Sequence, residues 1–458
     1  MTLKSIVTSA LAAAFLFAGC SEKSKVIQLP VPPRPAGQQD MLQFAAEPIA
    51  DVGIGVVGLG MRGSHAVRRL TKVPGCHVAA LCDVEGDRAQ KSLEDLEKIG
   101  QMANVYAGDE YSYRELCEDP SVDLVYICTD WLHHVPVALY AMEQGKHVAI
   151  EVPSAETVQD CWDLVNTSER TRRHCMMLEN CCYDFFELTA LEMARQGVFG
   201  EVIHAEGAYN HFLGPFWYEY WNNWRLDFNS KHRGDLYPTH GFGPVCQALN
   251  IHRGDRLTTL TAMDTDPFNG PKDALKKGMD GSFANGDVTM TMLRTARGKT
   301  ILIEHDVLTP RPYNRMDQLV GTEGYIGKYP IGEVCLKEES SLDDGDYDKL
   351  EREKVFTGAE LEALMAKYPS PILTPEFAAH AKKVGGHGGM DYIMDYRLVY
   401  CLNHGLPLDM DVYDLAEWCC VTELSRISLE NGSAAVEVPD FTRGAWDRIQ
   451  GFSYAFAE

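Results

Sequence analysis

The chain has 458 residues, with 42 Lys+Arg against 66 Asp+Glu and a formal net charge of −24. Its 45% hydrophobic and 10% aromatic content supplies core for two to three domains at about 150 residues each and excludes disorder over most of the length. The acidic balance excludes a nucleic-acid partner, which needs a basic stripe.

The N-terminus reads as an address. Lys4 precedes a short apolar stretch, Ile6 to Phe17, that ends in Phe17-Ala18-Gly19-Cys20. It is too short to span a bilayer comfortably and has the pattern of a signal peptide. Small residues directly before a cysteine resemble a bacterial lipobox, so residues 1–20 are expected to leave Cys20 lipidated; Phe17 departs from the aliphatic residue usual there. Residues 21–50 are polar and proline-rich (Leu29-Pro30-Val31-Pro32-Pro33-Arg34-Pro35) and read as a tether. The expected location is the bacterial cell envelope, lipid-anchored at the periplasm or outer membrane. Fourteen cysteines are far too few for a disulfide scaffold. Cys82, Cys128, Cys246 and Cys401 sit in apolar patterns and read as buried free thiols. Without C-x-x-C spacing, no metal site is expected.

Residues 51–178 read as a nucleotide-binding domain. An apolar run from Val52 leads into Gly58-x-Gly60-x-x-Gly63 and then a helix through His65 to Leu70. Gly58 permits a tight turn, Gly60 lets backbone approach a pyrophosphate, and Gly63 allows close helix–strand packing. The next strand, His77 to Cys82, ends in Asp83, where a carboxylate meets adenosine ribose hydroxyls and favours NAD over NADP. Val122–Thr129 is a predicted strand, Val135–Gln144 a helix and His147–Glu151 a strand, which makes a doubly wound parallel sheet. Ligands bind at the carboxyl ends of such strands. Thr129-Asp130-Trp131-Leu132-His133-His134 and Glu151-Val152-Pro153 lie there.

Residues 179–458 read as an α+β domain. Strands are predicted at Val202–Tyr209, Thr258–Met263, Asp287–Thr295 and Lys299–Asp306. Short turns such as Arg297-Gly298 join neighbours, so the sheet is expected to be mainly antiparallel. Helices are predicted at about 376–404 and 411–430. The active site is expected in the cleft between the two domains. Trp217, Trp221 and Trp224 are either core or sugar-stacking residues. His387, within Gly385-Gly386-His387-Gly388-Gly389, belongs either to a loop closing over substrate or to a structural turn. Asp343-Asp344-Gly345-Asp346-Tyr347-Asp348 lacks EF-hand spacing and reads as a solvated acidic loop. Asp409, Asp411 and Asp414 open a helix as capping residues.

The glycine triplet, Asp83, Thr129 to His133, Gly145-Lys146-His147-Val148 and Glu151-x-Pro153 resemble the Gfo/Idh/MocA family of nicotinamide-dependent oxidoreductases. Dehydrogenases of that family read Glu-Lys-Pro; here the middle residue is Val152, which cannot carry a proton. Further motifs narrow the match. These are Met61-Arg62, Trp131-Leu132-His133-His134, Glu151-Val152 and Glu179-Asn180-Cys181-Cys182-Tyr183. Tyr237-Pro238-Thr239-His240-Gly241, Pro310-Arg311-Pro312-Tyr313 and Gly385 to Asp391 complete the set. Together they resemble glycoside hydrolase family 109, whose known activity is α-N-acetylgalactosaminidase and whose members bind NAD tightly. The resemblance implies NAD contacts from Met61, Arg62, Asp83, Trp131, Leu132, His133, His134, Glu151, Val152 and Asn180. It implies substrate contacts from Tyr209, Arg225, Tyr237, Pro238, Thr239, His240 and Tyr313.

The chemistry implied is oxidation of the sugar at C3, loss of the C2 proton, elimination, water addition and re-reduction; NAD-dependent glycosidases depart from the two-carboxylate rule. An imidazole suits proton transfer near neutral pH, which makes His240 the principal candidate base. Tyr183 and Tyr237 are candidates for leaving-group protonation or alkoxide stabilisation. The expected partners are a small carbohydrate or glycan, a membrane through the lipid anchor only, and a second copy through an exposed sheet face. A net sugar dehydrogenase and a non-catalytic sugar-binding lipoprotein stay open as other readings.

Overall fold

The computed structural model describes residues 26–337 and 353–457. The Cys20 motif and the Asp343–Asp348 run lie outside the described residues.

The first sheet has six parallel strands: β1 Val52–Val57, β2 Cys76–Asp83, β3 Asn104–Ala107, β4 Leu124–Ile127, β5 His147–Ile150 and β6 Cys175–Met177. Their order is β3-β2-β1-β4-β5-β6. Every residue of β1, β4 and β5 is buried, as expected for strands covered on both faces. The strand order reverses between β1 and β4, which opens a crevice above their carboxyl ends. The predicted Val135–Gln144 helix begins earlier, at Trp131, because the Asp130 side chain accepts from the His133 amide and caps it.

The second sheet has nine strands: β7 Val202–Asn210, β8 Leu257–Asp264, β9 Thr289–Thr295, β10 Thr300–Asp306, β11 Asn314–Gly321, β12 Gly324–Gly327, β13 Glu333–Lys337, β14 Glu353–Thr357 and β15 Val436–Glu437. Their order is β14-β13-β12-β11-β7-β10-β9-β8-β15. Only β7 and β10 pair in parallel; the other neighbours are antiparallel. Strict alternation of buried and exposed residues along β9 marks a sheet covered on one face. The predicted 376–404 helix is two helices, Pro375–Val384 and Met390–His404. Gly385, Gly386, Gly388 and Gly389 all take positive φ between them. The 411–430 helix likewise divides into Val412–Cys419 and Val421–Glu430.

Residues 26–50 do not hang free, which corrects the tether expected over 21–50. Ile27 bridges to Val436, the Arg34 guanidinium pairs with buried Glu169 at 3.0 Å, and Met41 and Leu42 join the core. Any tether begins before Val26. Among the expected thiols, Cys82, Cys246 and Cys401 are buried and Cys128 is half-buried, none of them in a disulfide. Asp411 does cap its helix, with Asp414 closing the box. Asp409 does not; it pairs with Arg397 at 2.7 Å. Among the described residues no helix is long and apolar enough to cross a membrane.

Candidate active site

A cleft of about 1360 Å³ runs along the carboxyl ends of β1, β2 and β4. Gly58, Gly60, Met61, Arg62, Asp83 and His133 line it, and Trp221 and Trp224 close it from the second domain. The three glycines divide their tasks as the spacing predicts. Gly58 has φ +87°, and a Cβ there would sit 2.6 Å from the Cys128 carbonyl oxygen. A Cβ on Gly63 would meet the Gly58 carbonyl oxygen at 1.8 Å. Gly60 faces open space, with nothing within 4 Å of a Cβ. It is also the N-cap of the Met61–Leu70 helix, whose first turn has neither a side-chain cap nor an acidic residue. That helix end leaves amide donors for an anion. The residues therefore fit a dinucleotide, whose pyrophosphate the Gly60 turn and the helix amides would hold. Gly60→Val is expected to fold normally, since φ is −66° and the space is open, yet to lose bound NAD. The check is circular dichroism together with NAD released on denaturation; full NAD content in the variant would contradict the assignment.

Asp83 ends β2 as expected, buried, with Oδ2 accepting from the Leu59 amide at 2.6 Å. Its carboxylate thus ties the glycine turn to β2. Leu132 is exposed. The His133 ring faces Asp130 Oδ1 at 2.6 Å. His134 is buried, with its ring nitrogens 2.8 Å from the Pro153 carbonyl and 3.2 Å from that of Thr129; it braces these loops from beneath. The Trp131 indole donates to the Val152 carbonyl at 3.2 Å.

At the nicotinamide end of such a cleft, Glu151 accepts from Arg62 at 2.7 Å. Arg62 also donates to Asp391 Oδ2 at 3.1 Å, and Asn180 donates to Asp391 Oδ1 at 2.6 Å. Burial disfavours the Asp391 charge, but Arg62, His387 and Arg69 outweigh it and hold the carboxyl far below its ordinary range. His387 lies 3.0 Å from the same carboxylate. The glycine-rich turn therefore stands against the Arg62–Asp391 end of the cleft.

Beside it stands a polar aromatic cluster from the second domain. The Tyr237 and Tyr209 rings stack with centroids 4.2 Å apart. The Arg225 guanidinium lies over the Tyr237 ring at 4.7 Å and the Trp131 ring at 5.1 Å. It donates to the Tyr220 hydroxyl at 2.7 Å. Burial opposes the Arg225 charge, but Tyr220, Tyr209 and Tyr237 hold its pKa above the ordinary value. The Tyr209 hydroxyl, pushed up to about 12 by burial, stays protonated and lies 2.9 Å from His211 Nδ1. Burial, then Arg225, pushes His211 down to about 4, so that ring is a neutral acceptor. Tyr313 is 40% exposed and meets the His211 ring edge-on at 5.0 Å.

His240 is oriented at both ends. Nδ1 is 2.7 Å from Glu179 Oε1, and Nε2 is 3.4 Å from the Tyr237 hydroxyl. Glu179 is fully buried; burial alone would push its carboxyl up, but His240 holds it below its ordinary value. An ionised Glu179 therefore accepts a hydrogen bond from Nδ1–H and leaves Nε2 free as an acid–base atom. The sequence motif assigns Glu179 no role; 61 residues separate it from His240, so no local spacing joins them. Cys181 places its sulfur within 4.8 Å of the ligand atoms of Glu179 and His240. Burial pushes that thiol far above its ordinary value, so it stands protonated beside them.

Tyr183 does not join this group. It is buried, and its hydroxyl donates to Asp409 at 3.1 Å within the Arg397 network. The structure thereby corrects its assignment as a proton donor: no substrate reaches that oxygen without unpacking the core. Thr239 is fully buried and Pro238 is buried at the start of the Thr239–Ala248 helix; both position Tyr237 and His240. Trp217 is core, donating to Asp273 at 3.1 Å.

This fold and cleft define a nicotinamide-dependent oxidoreductase type of chain. The oxidoreductase family with NAD-binding Rossmann fold matches residues 52–179, and NAD is its cofactor. The C-terminal domain family of glycosyl hydrolase 109 matches residues 183–448, and the chain belongs to glycosyl hydrolase family 109. It is 58% identical to glycosyl hydrolase family 109 protein 1 of Bacteroides thetaiotaomicron, over 95% of this chain and 94% of that one. It is 56% identical to a family 109 protein of Porphyromonas gingivalis, over 94% and 93%. Among solved structures, an NAD binding oxidoreductase from Klebsiella pneumoniae superposes with TM-score 0.63 at 20% identity, covering 85% of this chain and all of that one. Levoglucosan dehydrogenase in complex with NADH and L-sorbose does so at 0.63 and 16%, with the same coverage. These two likenesses concern the fold alone. The chain is thus a glycosidase-family enzyme built on an NAD-binding oxidoreductase fold, and its substrate is a sugar.

Proposed function

We propose that the protein cleaves terminal α-N-acetylgalactosamine, or a related hexoside, by transient oxidation at C3, elimination, water addition and re-reduction. The observation that carries this reading is the Glu179–His240–Tyr237 set beside the NAD cleft, together with Val152 in the place of a dehydrogenase lysine. Gly58 to Gly63, Asp83 and the Arg62–Glu151 end would hold NAD, which would supply a hydride acceptor restored within each turnover. His240 Nε2 takes the C2 proton, while its Nδ1–H stays on the ring and donates to the Glu179 carboxylate, whose negative charge balances the imidazolium. The Tyr237 hydroxyl is held far above its ordinary pKa by burial, then by Tyr209; it acts as a hydrogen-bond donor to developing oxyanion charge. The buried Arg225 cation fixes both tyrosine rings and adds positive field. Incubation with p-nitrophenyl α-N-acetylgalactosaminide, without added oxidant or reductant, is expected to release nitrophenol with no net NADH, assayed by its fluorescence. NADH accumulation with free sugar would replace this reading by a net dehydrogenase.

The lipobox-like Cys20 supports anchorage in the cell envelope, checked by loss of labelled-palmitate incorporation in Cys20→Ser. Met263 and Met290 pair across β8 and β9, and both are exposed together with Met292. This apolar face supports a homodimer, which sedimentation of Met290→Lys would abolish.

A further inference from the structure

A second groove, about 740 Å³, lies between the Met61–Leu70 helix with its exit and the Pro375–Val384 helix with the His387 turn. Eight basic side chains and a single carboxylate line it, in a chain where acids outnumber Lys+Arg by 66 to 42. On one wall, residues 62, 65, 69 and 72 share one helical stripe by their spacing. On the other stand His380, Lys383 and His387. The one carboxylate, Asp391, is already engaged by Arg62, Arg69 and His387 at 3.0 to 3.5 Å. Arg69 is further neutralised by Asp395 at 2.6 Å. That leaves Arg68, Lys72 and Lys383 as the fixed charge facing the groove, with the His65 and His380 rings among them; Arg68 shares a half-buried carboxylate, Asp95, at 3.2 Å. Burial, then Arg68, Arg62 and Arg69, pushes the His65 imidazole below its ordinary value, a local sign of positive potential. Two like-charged walls facing each other across open solvent destabilise one another unless an anion sits between them.

The position of the groove narrows the choice of anion. Arg62, His65 and Arg68 line both the cofactor cleft and the groove, and His387, at its mouth, contacts the Asn180 and Asp391 side chains at the end of the cleft beside the Glu179–His240 cluster. The cofactor's own phosphates are served by the Gly58–Gly63 turn, and His380 and Lys383 do not line that cleft. We propose that the groove is an aglycone subsite for an oxyanion, a sulfate ester or carboxylate carried by the glycan beyond the scissile bond. Acidic glycans would then be preferred substrates. The inference rests on the glycosidase reading above and deepens it.

The test compares a neutral oligosaccharide ending in α-N-acetylgalactosamine with the same oligosaccharide sulfated on the adjoining residue. Wild-type kcat/KM is expected to favour the sulfated form at least tenfold at low salt. The ratio should fall towards one in 0.5 M NaCl, where the Debye length is well under about 10 Å. K72E/K383E should lose the preference while keeping its rate on p-nitrophenyl α-N-acetylgalactosaminide and its NAD content. A wild type blind to the sulfate, or a variant slowed equally on both sugars, would overturn the subsite. Lower NAD content in the variant would assign the groove to the cofactor instead. Charge-dependent binding to vesicles with 30% phosphatidylglycerol, without a sulfate preference, would assign it to a membrane surface. If no sugar is hydrolysed, the glycosidase reading fails separately; calorimetric titration with the sulfated oligosaccharide then still decides the groove by wild type against K72E/K383E.

Discussion

His240→Ala is expected to lower kcat by about 10²- to 10⁴-fold with KM little changed, NAD content intact and the fold retained. The ring is only partly exposed, and its role is proton transfer through Nε2. Glu179 fixes which nitrogen is free. Glu179→Gln is nearly isosteric, but an amide no longer stabilises the imidazolium and accepts the Nδ1 proton less strongly. It should therefore cost a large share of the same factor and shift the acid limb of the pH–rate profile. A structural role alone would change thermal stability and leave the profile in place. Activity of His240→Ala within tenfold of wild type would remove this residue as the base.

Gly241→Ala should be nearly as damaging through a different cause. The Thr239–Ala248 helix crosses β7 at the contact of Gly241 with Gly207. A Cβ on Gly241 would lie 2.1 Å from the Ala208 amide nitrogen, and one on Gly207 would lie 2.2 Å from the Gly241 carbonyl oxygen. Both obstacles are backbone, so no side chain can rotate away. Gly243 holds the other flank, with its Cβ position 3.0 Å from Glu179 Cγ. The two glycines let one helix lie close to the strand carrying Tyr209 and to the turn carrying Glu179. An added methyl displaces the helix by about 1 Å or more to reach ordinary contact. Overpacking of this kind costs about 1–3 kcal/mol, and a 1 Å misplacement at a reacting centre costs about 10²-fold in rate. Calorimetric Tm and kcat on one preparation check both effects; a variant with wild-type rate would show that the contact does not set the site.

The nucleotide half was legible because its signals are local. Gly58, Gly60 and Gly63 sit within six residues, and the run from Val52 to Val57 is buried throughout, so its composition states its place. Val152 was equally plain as a missing lysine. The second domain was legible as strands and helices, with errors at the 385–389 glycines and at Cys420, where one predicted helix became two. Tyr183 misled because a tyrosine in a conspicuous motif says nothing about which way its ring points. It points into the core, towards Asp409.

Residue order by itself determined the parallel nucleotide-binding sheet and the glycine cradle, since hydrophobic period and turn chemistry act over a few residues; the motif resemblance and their side-chain chemistry put Tyr237 and His240 forward. Only the tertiary structure decided that Glu179 orients His240, that Arg225 lies between the tyrosines and Trp131, and that residues 26–50 are docked. These pairings join positions tens to hundreds of residues apart. They depend on how a helix crosses a strand and how two domains close on each other, which no local pattern encodes. The net charge follows the same division. A value of −24 excludes a polyanion as general partner, yet folding gathers lysines, arginines and histidines from two distant helices into one basic groove.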